Sequence, residues 1–154
     1  MKSTRVLSRR NLPLLMLQAR EAVFARFRPI LNEAGVTEQQ WRVVRALLER
    51  GPLEPRQIGE ICCLASPSLA GILARMDDLG LVIRERVPHD QRRVLVSASP
   101  AGIALAKRLA PRIEATYQAL EADLGTEMTG ALYALLDQLI NTLGDGDADQ
   151  PADE

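Results

Sequence analysis

Arg84, Arg86, Arg92 and Arg93 fall within ten residues of one another, interrupted by only two acids, Glu85 and Asp90. A guanidinium stays charged at any physiological pH. It forks onto phosphate oxygens and guanine edges, and it enters narrow A·T-rich minor grooves where negative potential is concentrated. Such a cluster, with His89 and Gln91 between its halves, predicts a charged loop that touches nucleic acid. Asp90 and Arg92 stand two residues apart, a spacing that predicts a charge-assisted hydrogen bond turning Arg92 outward. Four arginines on an exposed hairpin also protect a sheet edge from aggregation, so the cluster alone leaves both readings open.

A second group precedes it. Ser66, Pro67, Ser68, Gly71 and Arg75 bring together small hydroxyls, a glycine that admits close backbone approach, and one arginine able to read a base. At 100° per residue Ser68, Gly71, Arg75 and Asp78 share one arc of a helix, whereas Leu69, Ile72, Leu73, Met76 and Leu79 share the other. The same pattern fits an ordinary amphipathic helix with a solvated face.

No comparable grouping carries catalysis. His89 is the only histidine, no His/Cys set has metal-ligand spacing, and nucleophile-elbow, P-loop and dinucleotide-binding glycine patterns are absent. Acid pairs such as Asp77-Asp78 read as solvated charge. Neither an enzyme nor a cofactor or metal site is expected. Cys62 and Cys63 are adjacent, and two neighbouring cysteines make no disulfide framework, which predicts a reducing, cytoplasmic setting. Ser8-Arg9-Arg10 resembles a twin-arginine export signal. The apolar stretch after it, Leu12 to Leu17, is interrupted by Pro13 and is too short for export, and no run approaches membrane-spanning length.

Several elements must position these residues. Leu12, Leu15, Ala19, Ala22 and Val23 predict a long helix over 11–34, kinked at Pro29 and ended by Gly35. Thr37-Glu38-Gln39-Gln40 is a capping box opening a second helix that buries Trp41, Val44, Leu47 and Leu48 and stops at Gly51-Pro52. A short helix follows over 54–62. A fourth is expected to be capped by Ser66, started by Pro67, and closed by Gly80. Leu81–Val87 and Val94–Ser99 read as strands joined by a loop over 88–92. Ser99-Pro100 restarts helix, with two final helices at about 100–124 and 127–143. Leu132, Leu135, Leu136, Leu139, Ile140 and Leu143 form a stripe on the last one, and Leu120 and Leu124 extend it. A second copy of the chain is a natural partner for that stripe.

The predicted fold is mainly α with a small β-hairpin: a winged helix-turn-helix plus a helical dimerisation region. Its parts are an N-terminal dimerisation segment and helix (1–36), a DNA-binding domain (37–99), C-terminal dimerisation helices (100–143) and a disordered acidic tail (144–154). Charge distribution agrees. The 154 residues carry a formal charge of −1, but the tail holds five acids and no base, leaving 19 bases against 15 acids, or +4, in residues 1–143. Seventeen of the bases are arginine. The aromatic content of 3% leaves Leu, Val, Ile and Ala to fill the core, which favours helices over a large sheet.

Trp41-Arg42-Val43-Val44, Ser66-Pro67-Ser68-Leu69-Ala70-Gly71-Ile72-Leu73-Ala74-Arg75-Met76, Gly80-Leu81-Val82 and Asp90-Gln91-Arg92-Arg93 together resemble the MarR family of bacterial regulators. The resemblance covers about residues 10–143. The stretches Leu17-Gln18-Ala19-Arg20-Glu21 and Thr37-Glu38-Gln39-Gln40-Trp41 are most similar to its homoprotocatechuate-degradation (HpaR-like) repressors. One departure is Ser97-Ala98-Ser99-Pro100, where the family usually has Leu-Thr, although Ser99 can still cap a helix. The resemblance implies obligate homodimers on palindromic double-stranded operators, released by a small aromatic carboxylate and having no membrane partner. It also implies a pocket at the junction of the first, second and fifth helices. There Arg9, Arg10, Arg20 and Arg45 are the available cations, Trp41 a stacking face and Ser8 a hydroxyl. Two rivals remain: a redox sensor using Cys62 or Cys63, and a winged helix serving only as a protein-interaction module.

Overall fold

A computed structural model describes residues 6–144. The chain divides into two compact units, residues 1–113 and 114–154. The expected acidic tail, apart from Gly144, lies outside the described residues.

The first unit opens with α1 (Leu12–Phe24) and α2 (Arg28–Ala34). The Asn11 side chain caps α1 by accepting the Leu14 N–H at 3.1 Å. The single kinked helix expected over 11–34 is instead two helices, broken at residues 25–27 ahead of Pro29. Pro29 stands in the first turn of α2, where its missing N–H costs no bond. A helix continuing unbroken through that point would set its ring against the preceding turn. None of α1 is buried, and Leu12, Leu14, Met16 and Leu17 are exposed.

The expected box starts α3 (Glu38–Arg50): Gln40 donates its N–H to Thr37 Oγ1, and Thr37 donates to Gln40 Oε1, both at 3.1 Å. Then come α4 (Pro55–Cys62) and α5 (Ser66–Asp78), bent by 110° across the break between them. Ser66 does not cap α5. The ladder already begins at the Ala65 carbonyl, which accepts from Leu69 at 2.9 Å, so Ser66 is the first helical residue. Gly80 closes α5 as anticipated. At φ +71° it lets the Leu81 N–H reach the Met76 carbonyl at 2.9 Å and its own N–H reach that of Asp77.

The core beneath these helices is built from Val43, Val44, Ala46 and Leu47 of α3, Ile58 and Cys62 of α4, and Leu69, Leu73 and Met76 of α5. Leu53 and the strand residues Val82 and Val96 complete it. Two expected core residues are not in it. Leu48 is exposed on α3, and Leu79, as the residue after the last turn of α5, points to solvent; Trp41 is half-buried against the cluster.

Strands β1 (Val82–Val87) and β2 (Asp90–Ala98) pair antiparallel. The connection is shorter than the expected five-residue loop. Pro88 and His89 alone make the turn, and β2 already begins at Asp90. The register runs Val82↔Ala98 to Arg86↔Val94, then jumps to Val87↔Asp90. Residues 91–93 therefore bulge out of the ladder, a distortion that paired strands absorb and that sequence alternation does not announce. Leu53 adds a short third edge, exchanging two backbone hydrogen bonds with Val96 at 2.9 and 2.8 Å.

Ser99 caps α6 (Pro100–Leu124) by accepting the Gly102 N–H at 3.0 Å, while its hydroxyl donates to the Gly80 carbonyl. The second unit holds the end of α6 and α7 (Thr126–Gly144). No residue of α7 is buried, and Leu132, Leu135, Leu136, Ile140 and Leu143 are 39–71% exposed. No single helix among the described residues is long and apolar enough to cross a membrane.

Candidate nucleic-acid interface

The exposed arc of α5 carries the residues that its period predicts. Ser68, Gly71, Arg75 and Asp78 face solvent, and Leu69, Leu73 and Met76 of the opposite arc anchor the helix in the core. Nothing lies within 4 Å of the position a Gly71 side chain would take, so a flat groove or duplex edge can approach the backbone there. Ser66 and Pro67 are exposed at the helix start.

The four hairpin arginines, equivalent by sequence, separate into two kinds. Arg84 of β1 grips Asp77 of α5, donating from Nη2 at 2.8 Å and from Nε at 3.3 Å. Arg93, in the bulge of β2, pairs through Nε with Glu54, the residue that precedes α4, and this bond raises the guanidinium's pKa above its ordinary value. Arg86 donates to the Gln91 carbonyl across the bulge. Arg92 makes no side-chain bond within the described residues, nor does Arg75 on α5. These are the two guanidiniums left free on the α5 and hairpin surfaces.

The expected brace between Asp90 and the Arg92 guanidinium does not form. Asp90 Oδ1 instead accepts the Arg92 backbone N–H at 3.0 Å. An aspartate reaches the amide two residues on with little loss of freedom, whereas the long arginine side chain would have to fold back. Asp90 thus shapes the tip and leaves the guanidinium beyond it unengaged. His89 and Gln91 are exposed beside it.

Two features of this surface escape a sequence reading. One is the partnership of Glu54 and Asp77 with the hairpin. The other is a cleft of about 620 Å³ between α4, α5 and the hairpin, with Arg56, Ser66, Leu69, Ala70, Arg84 and Val94 among its lining residues. The only local signal was the Glu54-Pro55 helix start.

The suggested effector residues are less gathered. Ser8, Arg9 and Arg10 are exposed ahead of α1. Arg20 lies 5.6 Å from the Phe24 ring centre and pairs with Glu38 at the start of α3, one turn from Trp41. Arg45 pairs along its own helix with Glu49 at 2.6 Å.

Among the described residues no group of three or more His, Cys, Asp or Glu side chains converges as a metal site. The Cys62 thiol is buried and donates to the Arg42 carbonyl at 3.5 Å. Burial pushes its pKa up, a shift that the Arg42 charge partly offsets. Cys63 is exposed, with a left-handed φ of +54° that ends α4. Alkylation with iodoacetamide at pH 8 should therefore modify Cys63 well before Cys62, read by mass spectrometry of tryptic peptides. Equal rates would show that the Cys62 pocket opens readily.

Known proteins match both the chain and this geometry. A MarR family profile matches residues 34–93, which span α3 to the hairpin bulge. The homoprotocatechuate degradative operon repressor of Escherichia coli is 38% identical over 143 residues, 93% of this chain and 97% of that one. The chain belongs to the MarR family. The HTH-type transcriptional regulator FarR of Neisseria gonorrhoeae is 41% identical over 80% of this chain and 85% of its own. The structure of NadR in complex with 4-hydroxyphenylacetate aligns with a TM-score of 0.76 at 37% identity, covering 90% of this chain and 97% of that one. As in other MarR-family transcriptional regulators, the fold is a winged helix: α4 and α5 are the helix-turn-helix, α5 stands in the position of a recognition helix, and the β1–β2 hairpin is the wing.

Proposed function

We propose that this chain is a homodimeric repressor that holds a palindromic operator through two copies of α5 in successive major grooves, about 34 Å apart, and lets go when it binds a small aromatic carboxylate. The observation that carries the reading is the pair of unengaged guanidiniums. Arg75 stands on the recognition face beside Ser68 and Gly71, where a base edge would lie. Arg92 stands at the wing tip, where a minor groove would lie. Ser66, Pro67, His89 and Gln91 border these two contacts, and Arg86 stiffens the wing between them.

The exposed leucines of α7 and the exposed apolar face of α1 support self-association, since a second copy would bury them. On this reading residues 1–36 and 100–143 make the dimer and residues 37–99 the DNA-binding domain. The effector class comes from two relatives: the repressor named for homoprotocatechuate degradation and the NadR complex with 4-hydroxyphenylacetate. Arg20 and Trp41 suit an aromatic acid, whose carboxylate would compete with Glu38 for Arg20; Ser8, Arg9, Arg10 and Arg45 are the further candidates. Ligand binding would favour a spacing of the two recognition helices that no longer matches adjacent grooves. A coupling of about 1–3 kcal/mol would weaken DNA binding about 5- to 150-fold.

The test is calorimetry with hydroxylated aromatic acids, 4-hydroxyphenylacetate among them, with and without a duplex selected by the protein from a random pool. Because coupling is reciprocal, the acid should bind more weakly when the duplex is present. Acids that bind while leaving duplex affinity unchanged defeat the release mechanism. If none binds, and mild peroxide frees the DNA only while Cys62 or Cys63 is intact, the thiol sensor replaces it.

A further inference from the structure

The two strands of the wing are tied to two different helices of the helix-turn-helix. Arg84 of β1 holds Asp77 in the last turn of α5, and Arg93 of β2 holds Glu54 at the head of α4, 39 residues away in the chain. Between these anchors, the Leu53–Val96 backbone bridge and the buried Val82 and Val96 fix the base of the hairpin. The two side-chain ties, on different elements, hold the strands above that base to α5 and to the head of α4. Those ties fix where the unengaged Arg92 stands when Arg75 is on a base.

We propose that Glu54 and Asp77 are positioning residues for DNA binding. Their carboxylates clamp the wing through Arg93 and Arg84, so that Arg92 meets the minor groove in register with the recognition helix. The inference rests on the DNA-binding reading above. It also reassigns Arg84 and Arg93: they hold the wing and do not contact the duplex. Bare electrostatics predicts the opposite sign for any change here. Both carboxylates lie on a surface meant for a polyanion, and removing a negative charge there should tighten binding.

The pairs are partly exposed, with side chains 57% and 29% exposed for Arg93 and Glu54 and 40% and 44% for Arg84 and Asp77. Ties of that kind contribute little to global stability, so their loss should spare the fold. The decisive comparison uses a duplex that the wild-type protein selects from a random pool. Glu54→Gln should lower affinity about fivefold, the upper range for one partly exposed pair. Glu54→Gln combined with Asp77→Asn should lower it further. Hydroxyl-radical protection should fade in the outer minor grooves while methylation interference in the central major grooves persists. Glu54→Asp, which keeps the carboxylate, should retain most of the outer protection, and thermal midpoints should stay close to wild type.

Unchanged or tighter binding by Glu54→Gln, with the footprint intact, overturns the clamp and leaves the DNA reading standing. Uniform loss of all protection together with a markedly lower thermal midpoint makes Glu54 a folding residue and overturns it too. If the wild-type protein selects no duplex at all, the DNA reading fails and the clamp goes with it.

Discussion

Gly102→Ala should destabilise the protein by about 3 kcal/mol and lower its thermal midpoint by roughly 10 °C. Gly102 is buried in the first turn of α6, where its N–H is held by Ser99 Oγ. A methyl group placed there would lie inside the van der Waals envelope of the Leu81 carbonyl oxygen. The obstacle is backbone, so no side-chain rotation relieves it. Either α6 or the turn leading into β1 must move, and that turn is pinned by hydrogen bonds from Ser99 to the Leu81 and Gly80 carbonyls. Gly71→Ala is the matched control. It adds the same methyl to a helix with nothing within 4 Å, and should stabilise α5 by up to about 1 kcal/mol through helix propensity alone. Differential scanning calorimetry of the two variants should therefore move the midpoint in opposite directions. Equal midpoints would mean that the α6 junction yields without cost.

Arg75→Ala should cost about 1–3 kcal/mol at each half-site of a selected duplex, about 30-fold or more in affinity for the dimer, and relax the base preference at one position per half-site. The side chain has no hydrogen-bond or ion-pair partner among the described residues, so the fold should not change. A bidentate contact to a guanine is worth this much because the base's acceptors stay unpaired when the arginine is gone. Arg92→Ala should behave differently. It should weaken binding to all sequences by a similar factor and reduce the slope of log affinity against log salt by about one per contact. Measuring both variants on selected and scrambled duplexes over a range of salt separates base reading from charge. A loss from Arg75→Ala that is the same on both duplexes would falsify base reading by this residue.

Much of this architecture is local and is written in short stretches of sequence. The Thr37/Gln40 box, the Gly80 stop, the Ser99 cap and the split of α5 into two arcs each depend on groups three to five residues apart, within reach of one helical turn. The α7 stripe is equally local, since it is a period of 3.6 with no buried residue to interrupt it. Where several local solutions compete, the sequence by itself was less decisive. Pro29 was compatible with a kink or with the start of a new helix, and Ser66 with a cap or a first turn. Asp90 was compatible with a bond to the guanidinium of Arg92 or to its amide. Only at Asp90 does the solution found give a backbone group a side-chain partner; α2 and α5 both start without a side-chain cap.

The arginine-rich hairpin was legible as a charged wing because strand alternation and charge density are properties of the sequence. Which arginine is free and which is a tie was decided only by tertiary structure. Packing of Val82 and Val96 into the same core as Ile58 and Met76 brings β1 beside α5 and β2 beside the head of α4. Only then do Arg84 and Arg93 come within reach of carboxylates 7 and 39 residues away, while Arg92 and Arg75 do not. An ion pair depends on a few ångströms of separation. For residues far apart in sequence that distance is set by the shape of the shared core, and charge pattern along the chain carries no record of it.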